Sequence, residues 1–179
     1  MTKSKKIFAG LTTGVKLEKH SRSILKQVLA FDDGPERYFA LKESIHIGIE
    51  PMLLALSMEL ALKAWYVWDH DRHDPIRSHD LLKLYEALSV STKKKLNARY
   101  KEEVGPYQPW GDVMDYNISD LLAAHKDAFV KWRYLHEPRD GGIGFEHTAF
   151  VATLELVLDE FGKLYETVEF NPRGSHPNQ

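Results

Sequence analysis

The stretch EPMLLALSMELALKAWYVW, residues 50–68, constrains this chain more than any other, because only Ser57, Glu59 and Lys63 interrupt its apolar character. A helix that is apolar on every side is normally buried among others, whereas one that only lines a core carries a narrower apolar stripe. The sequence therefore predicts a hub helix with companions wrapped around it. Pro51 suits the first turn, where its missing N–H is not needed, and Glu50 complements the positive end of the helix dipole. The run approaches membrane-spanning length, but Glu59 and Lys63 lie near its middle, where each charge would cost about 2.5–3.5 kcal/mol in a bilayer. It reads as protein core, and no membrane partner is expected.

Glu59 and Lys63 stand four residues apart in the Glu-before-Lys order that lets the two side chains pair along a helix. Two readings stay open: an exposed ion pair of little worth, or a partly buried pair at a functional surface, where an unpaired charge would be costly.

The 179 residues, 43% of them hydrophobic, are enough for one domain with its own core. The absence of cysteine excludes disulfides, thiolate metal sites and cysteine nucleophiles. A formal net charge of -2 provides no global attraction to nucleic acid or anionic lipid, so any such binding needs a local patch. Lys3, Lys5 and Lys6 form one run and Lys93, Lys94 and Lys95 another, both read first as solvated faces. Ile7 to Leu11 is too short an apolar segment for a signal peptide, so a cytoplasmic location is expected.

Residues 1–14, polar with Gly10 and Gly14, read as a flexible leader; residues 15–168 read as a single helical domain and 169–179 as a disordered tail. Leu17, Ile24, Leu25, Val28 and Phe31 predict an amphipathic helix, and Pro35 can open another through Tyr38, Phe39, Leu41, Ile45 and Ile47. The loop DHDRHDPIR, residues 69–77, places His70 and His73 among three aspartates, but a metal would need a further ligand from elsewhere, and none is expected. Ser78 is placed to cap a helix through Leu88, with Asp80 complementing its dipole, and a short helix is expected from Ser91 or Thr92 to about Val104. In the loop GPYQPWGDVMDY, residues 105–116, Tyr107 and Trp110 are expected to pack. Ile118, Leu122, His125, Phe129, Trp132 and His136 form one stripe of a helix capped by Asn117 or Ser119 and stopped by Pro138. A last helix from about Phe145 to Val168 is expected to bury Phe150, Leu154, Val157, Phe161, Leu164 and Val168. The result is an all-α bundle of five to six helices.

Because the connector between the last two helices is short, Arg133, His136, Arg139 and His147 come within reach of one another. Histidine exchanges protons near neutral pH and arginine holds phosphate bidentately, which is the minimum kit for metal-independent RNA cleavage. The alternative is that the histidines are hydrogen-bonded caps or core-edge residues and the arginines solvate helix ends. Gly-rich phosphate loops, HExxH and GxSxG are absent, as is the paired ExxH pattern of di-iron bundles, so no cofactor is expected.

Three segments in this order, SMELALKAWYVW (57–68), SHDLLKLYEAL (78–88) and HKDAFVKWRYLHE (125–137), resemble the HEPN domain family over about residues 35–165. Glu59 and Lys63 match the family's Glu-and-Lys helix, and His79-Asp80-Leu81 its His-Asp-Leu helix start. The resemblance implies an up-and-down helical bundle, often a homodimer. Its functions range from RNases of toxin–antitoxin and antiviral systems, with antitoxin or other protein partners, to RNA-binding, nucleotide-binding and non-catalytic members. RNase members carry Arg, four to six residues, then His. Here two residues separate Arg133 from His136, seven separate Arg139 from His147, and the six between Arg72 and His79 precede a different helix. Enzyme activity stays open, a metal-independent endoribonuclease being the form it would take, with Arg133, His136, Arg139 and His147 as the catalytic candidates. The alternative is a non-catalytic protein-interaction module.

Overall fold

The computed structural model describes residues 3–30, 49–108, 115–133 and 144–169. Helix α1 spans Lys3–Ala30, α2 Ile49–Asp69, α3 Leu81–Glu86, α4 Val90–Glu103, α5 Ile118–Ala124, α6 Ala128–Arg133 and α7 His147–Glu169, with a 3-10 turn at Gly105–Tyr107 after α4. No strand occurs among the described residues, so the chain is an all-α bundle. The expected helix over residues 35–47 lies outside the described residues, as do Trp110 and the tail from 170 onward.

The hub is where the sequence puts it. Helix α2 packs against α1, α3, α6 and α7, and Leu54, Met58, Leu62 and Trp65 on it are buried. Trp65 crosses Phe161 of α7 edge-on, with ring centroids 5.3 Å apart, and donates from Nε1 to the carbonyl of Val157 at 3.0 Å. No helix of the described residues is long and apolar enough to cross a membrane.

The N-terminal region departs from expectation: residues from Lys3 onward belong to α1 and are no loose leader. Gly10 and Gly14 are there because α1 runs antiparallel to α2 at a spacing that excludes side chains. A Cβ on Gly10 would stand 2.8 Å from the carbonyl oxygen of Val67, and one on Gly14 would stand 2.8 Å from the ring of Phe161. Two turns further on, Ser21 and Ser57 donate to each other's backbone carbonyls at 2.7 and 2.8 Å, so even the polar groups of this seam are satisfied. Buried Glu18 accepts from Arg22, which also donates to Asp159 of α7 at 2.9 Å, tying α1 to α7.

The stripe from Ile118 to Trp132 is inward as the spacing predicts, but it is carried by two helices rather than one. The chain leaves the helix at His125, and the carbonyl of Lys126 accepts from Leu81 N–H at 3.2 Å, a bond unavailable to a residue inside a continuous helix. Other boundaries shift for similar local reasons. Asp80, not Ser78, caps α3, accepting from Lys83 N–H at 3.0 Å. Ser89 caps α4 by accepting from Thr92 N–H at 3.1 Å, which starts that helix ahead of Ser91. Tyr107, expected to pack, is 85% exposed.

The close approach of α1 to α2 gives a test of the register. In an exposed helix Gly→Ala stabilises by about 1 kcal/mol. At Gly10 the added methyl meets a backbone oxygen that cannot move aside, so Gly10→Ala is expected to destabilise by about 1–3 kcal/mol in urea unfolding. A neutral or stabilising result would mean that residues 3–14 do not pack here.

Candidate functional site

Glu59 is buried, with its side chain 4% exposed, in the middle of the most apolar helix of the chain. A carboxylate is tolerated there only if both oxygens are engaged. Lys63 donates from Nζ to Oε1 at 2.6 Å, and its own side chain is only 12% exposed. His79 lies 2.9 Å from Oε2 through Nδ1. A carboxylate only accepts, so Nδ1 carries the hydrogen and Nε2 is the nitrogen left over. The pair is therefore buried and not an exposed surface pair.

His79 is delivered by the residues around it. Asp80 caps α3, Ser78 Oγ accepts from Asp80 N–H at 3.1 Å, and this fixed turn holds His79 just outside the helix, above the hub. Its imidazole stacks on Phe129 of α6, with centroids 5.4 Å apart and planes 20° apart. Its side chain is 61% exposed. Glu59, Lys63 and His79 thus form one connected corner, with a buried ion pair beneath and an oriented imidazole at the surface, and Asp80 caps the helix that follows.

A second carboxylate–imidazole pair sits at the start of α2, where Glu50 Oε1 lies 2.5 Å from His147 Nε2 at the first residue of α7. Glu50 and Glu59 are nine residues apart, so at 100° per residue they leave α2 on opposite sides. The two pairs are separate sites. A groove of about 380 Å³ beside His147 is lined by Glu103, Tyr107, Gln108, Glu146 and Ala152, among others.

The four-residue Arg and His cluster is only partly described. His136 and Arg139 lie outside the described residues. Arg133 is exposed at the last residue of α6, and His147 is held by Glu50. The end of α6 and the start of α7 do meet, through Trp132 and Phe145 with ring centroids 6.3 Å apart. Glu50 as the partner of His147 was not foreseen. Its one sequence signal, an acid at a helix start, points equally well to a dipole interaction.

His125 is a core residue. It packs against Phe145 and Phe150, which also touch each other, and its Nε2 accepts from Glu146 N–H at 3.0 Å, so Nδ1 carries the proton. Burial, with Lys131 adding repulsion, pushes it down to about 4. Other expected features are internal too. Lys93 donates to the Glu86 carbonyl, and Lys95 pairs with Glu160 at 2.8 Å while lying 5.5 Å from the Trp65 ring centroid, so this lysine run is not an open anion patch. Burial favours a protonated Glu160, but hydrogen bonds from Lys163 and Lys95 outweigh it and hold the carboxyl below the usual range. His70 Nε2 lies 2.9 Å from the Ala87 carbonyl, and no group of three metal-ligating side chains occurs among the described residues.

Comparison with known proteins finds no matching family model, no matching curated protein and no matching solved structure.

Removing one partner of a buried pair costs more than removing both. Glu59→Ala is expected to destabilise by about 3–5 kcal/mol. Glu59→Met with Lys63→Met should recover most of that, and His79→Ala should cost under about 1 kcal/mol because the imidazole is exposed. Equal losses for all three in denaturant titration would show that the corner is not built on a buried carboxylate.

His125 sets a pH dependence with a definite sign. Its folded-state pKa is depressed, so its contribution is full above about 6.5 and is lost as pH falls toward about 4. The loss amounts to about 3 kcal/mol. His125→Gln, which keeps an acceptor for Glu146 N–H, should flatten the stability curve across this window. An unchanged curve would place the acid sensitivity elsewhere.

Proposed function

We propose that this is an HEPN-like helical-bundle protein that binds RNA or a nucleotide, acting as a homodimer in a toxin–antitoxin or antiviral system with an antitoxin or other protein partner. The observation that carries the reading is the corner at Glu59. Glu59, Lys63, His79 and Asp80 are the matched positions within the first two of the three segments that resemble the family, and Glu59 joins Lys63 and His79 by hydrogen bonds while Asp80 stands beside His79 at the start of α3. What this corner offers a ligand is an imidazole fixed in tautomer by a buried carboxylate, with Nε2 at the surface and an aromatic ring beneath. Such a group donates to or accepts from a phosphate, a ribose hydroxyl or a base edge.

Cleavage would be metal-independent and would fall to Arg133, His136, Arg139 and His147. His147 stands with Nε2 close to the Glu50 carboxylate, an acid–imidazole proximity that supports a role for this histidine in moving a proton. A rival reading, a non-catalytic interaction module, draws support from exposed Ile49 at the head of α2 and Val130 on α6, apolar side chains that a protein partner would cover.

Filter retention of total RNA in the presence of EDTA, followed by gel analysis of the RNA, separates these. Wild-type protein is expected to retain RNA, and His79→Ala to weaken retention about tenfold, equivalent to roughly 1.4 kcal/mol. Cleavage, if it occurs, should vanish in His147→Ala and Arg139→Ala and weaken in His136→Ala and Arg133→Ala. Neither retention nor cleavage by the wild type would reject the nucleic-acid reading and leave the interaction module.

A further inference from the structure

Charge is distributed unevenly in this chain. Helix α1 carries seven Lys and Arg residues against one carboxylate, Glu18, while the whole chain has a formal net charge of -2. Everything outside α1 is therefore acidic, and segregation of this kind marks a surface for a charged partner. Glu18 is buried and accepts from Arg22, so it does not offset the charge at the surface.

The exposed residues of α1 include Thr12, Lys16, Lys19, His20, Ser23, Lys26 and Gln27. At 100° per residue they fall within a sector of about 120°, so they form one continuous face. From Lys16 to Lys26 this face extends about 15 Å along the axis. Its ionisable residues are lysines and a histidine, with no carboxylate among them, and its other exposed residues are hydrogen-bonding side chains apart from Ala30 at its end. At one edge a groove lined by Arg22, Leu25, Lys26, Leu29, Glu155 and Asp159 separates the face from α7, where Arg22 already pairs with Asp159.

We propose that this face of α1 is a docking surface for the phosphate backbone of RNA, apart from the corner at Glu59. The inference rests on the RNA-binding reading above and adds the place where the strand lies. A membrane is the less suitable polyanion. An interfacial helix must insert an apolar face. In α1 the apolar side chains are already spent, Leu25 and Val28 within the core and Val15, Leu17, Ile24 and Leu29 packed against it. What remains outward is charge and hydrogen-bonding capacity without bulk apolar surface, which suits a backbone of phosphates and reads no sequence.

The test uses the full chain and a fluorescein-labelled 20-nucleotide oligouridylate, followed by anisotropy between 50 and 200 mM salt. Lys16→Gln/Lys19→Gln/Lys26→Gln is compared with the wild type and with Lys83→Gln/Lys94→Gln/Lys126→Gln, which removes the same charge from exposed lysines on other parts of the fold. All six positions are exposed, and thermal melting checks that both variants fold. The α1 variant is expected to bind at least tenfold more weakly and to lower the slope of log affinity against log salt by about 2. The control variant should stay within about twofold of the wild type. Equal losses in the two variants would reduce the effect to net charge and overturn the proposal. Wild-type binding unchanged in the α1 variant would overturn it while leaving RNA binding in place, and no wild-type binding would remove both. Phosphatidylserine vesicles and oligoglutamate serve as parallel probes. Loss of vesicle or peptide binding in the α1 variant without loss of RNA binding would assign the face to that partner instead.

Discussion

Burying an apolar helix on all sides requires neighbours that come very close, and in this protein the seam between α1 and α2 meets that requirement. Two glycines and a reciprocal serine pair let the backbones approach until a single methyl group would collide with a carbonyl oxygen. Packing at crystal-like density leaves no slack for larger side chains at such a seam. The ladder Gly10 to Val67, Gly14 to Ala64 and Ser21 to Ser57 also fixes the register, so the antiparallel course of α1 follows from where its small residues stand. Helix α7 then runs alongside α2 in the same direction, with Glu50 near His147 at one end and Trp65 near Phe161 toward the other.

Once that scaffold is set, its buried charges act as anchors for other elements. Each of the buried carboxylates Glu18, Glu59 and Glu160 takes a cation from its own helix, Arg22, Lys63 and Lys163, and each is also tied to another element: Arg22 reaches exposed Asp159 of α7, His79 joins Glu59 and Lys95 joins Glu160. Pairs of this kind contribute little net stability compared with apolar residues of the same size, but they are intolerant of a missing partner. They therefore specify which element lies against which. At Glu59 the same logic has a surface consequence, because the second partner is an exposed imidazole whose orientation is set from below.

The helical framework was legible because it rests on local periodicity. Leu54, Met58, Leu62, Phe150, Leu154, Val157 and Phe161 recur at helical spacing and are all buried. Failures came where a tertiary contact decided a local outcome. Gly10 and Gly14 look like flexibility in one dimension and are close packing in three. The inward stripe from Ile118 to Trp132 keeps its phase across the break at His125, so periodicity cannot reveal that break; the Lys126 carbonyl bonded to Leu81 N–H does. At the site, Glu59 and Lys63 could be paired from spacing alone, whereas His79 is 20 residues away and entered only through the resemblance of its motif. The proximity of Glu50 to His147 joins residues 97 apart, and an acid at a helix start does not point to it over a dipole interaction.

The groups that pack the core and the polar groups left at the surface are physically separated in this fold. The core-facing sides of α1 and α2 are used up by packing, and their ionisable groups, Glu18 and Glu59, are neutralised within the chain. What these helices direct outward is different in kind: lysines with few carboxylates on α1, and an oriented imidazole backed by Phe129 beside α2. An exposed lysine adds little to folding, and an imidazole that is mostly solvated gains little from its carboxylate. Neither feature is explained by the demands of the bundle, and both leave hydrogen-bonding groups at the surface. A bundle built only to be stable would have no need of a helix so strongly biased toward one sign of charge.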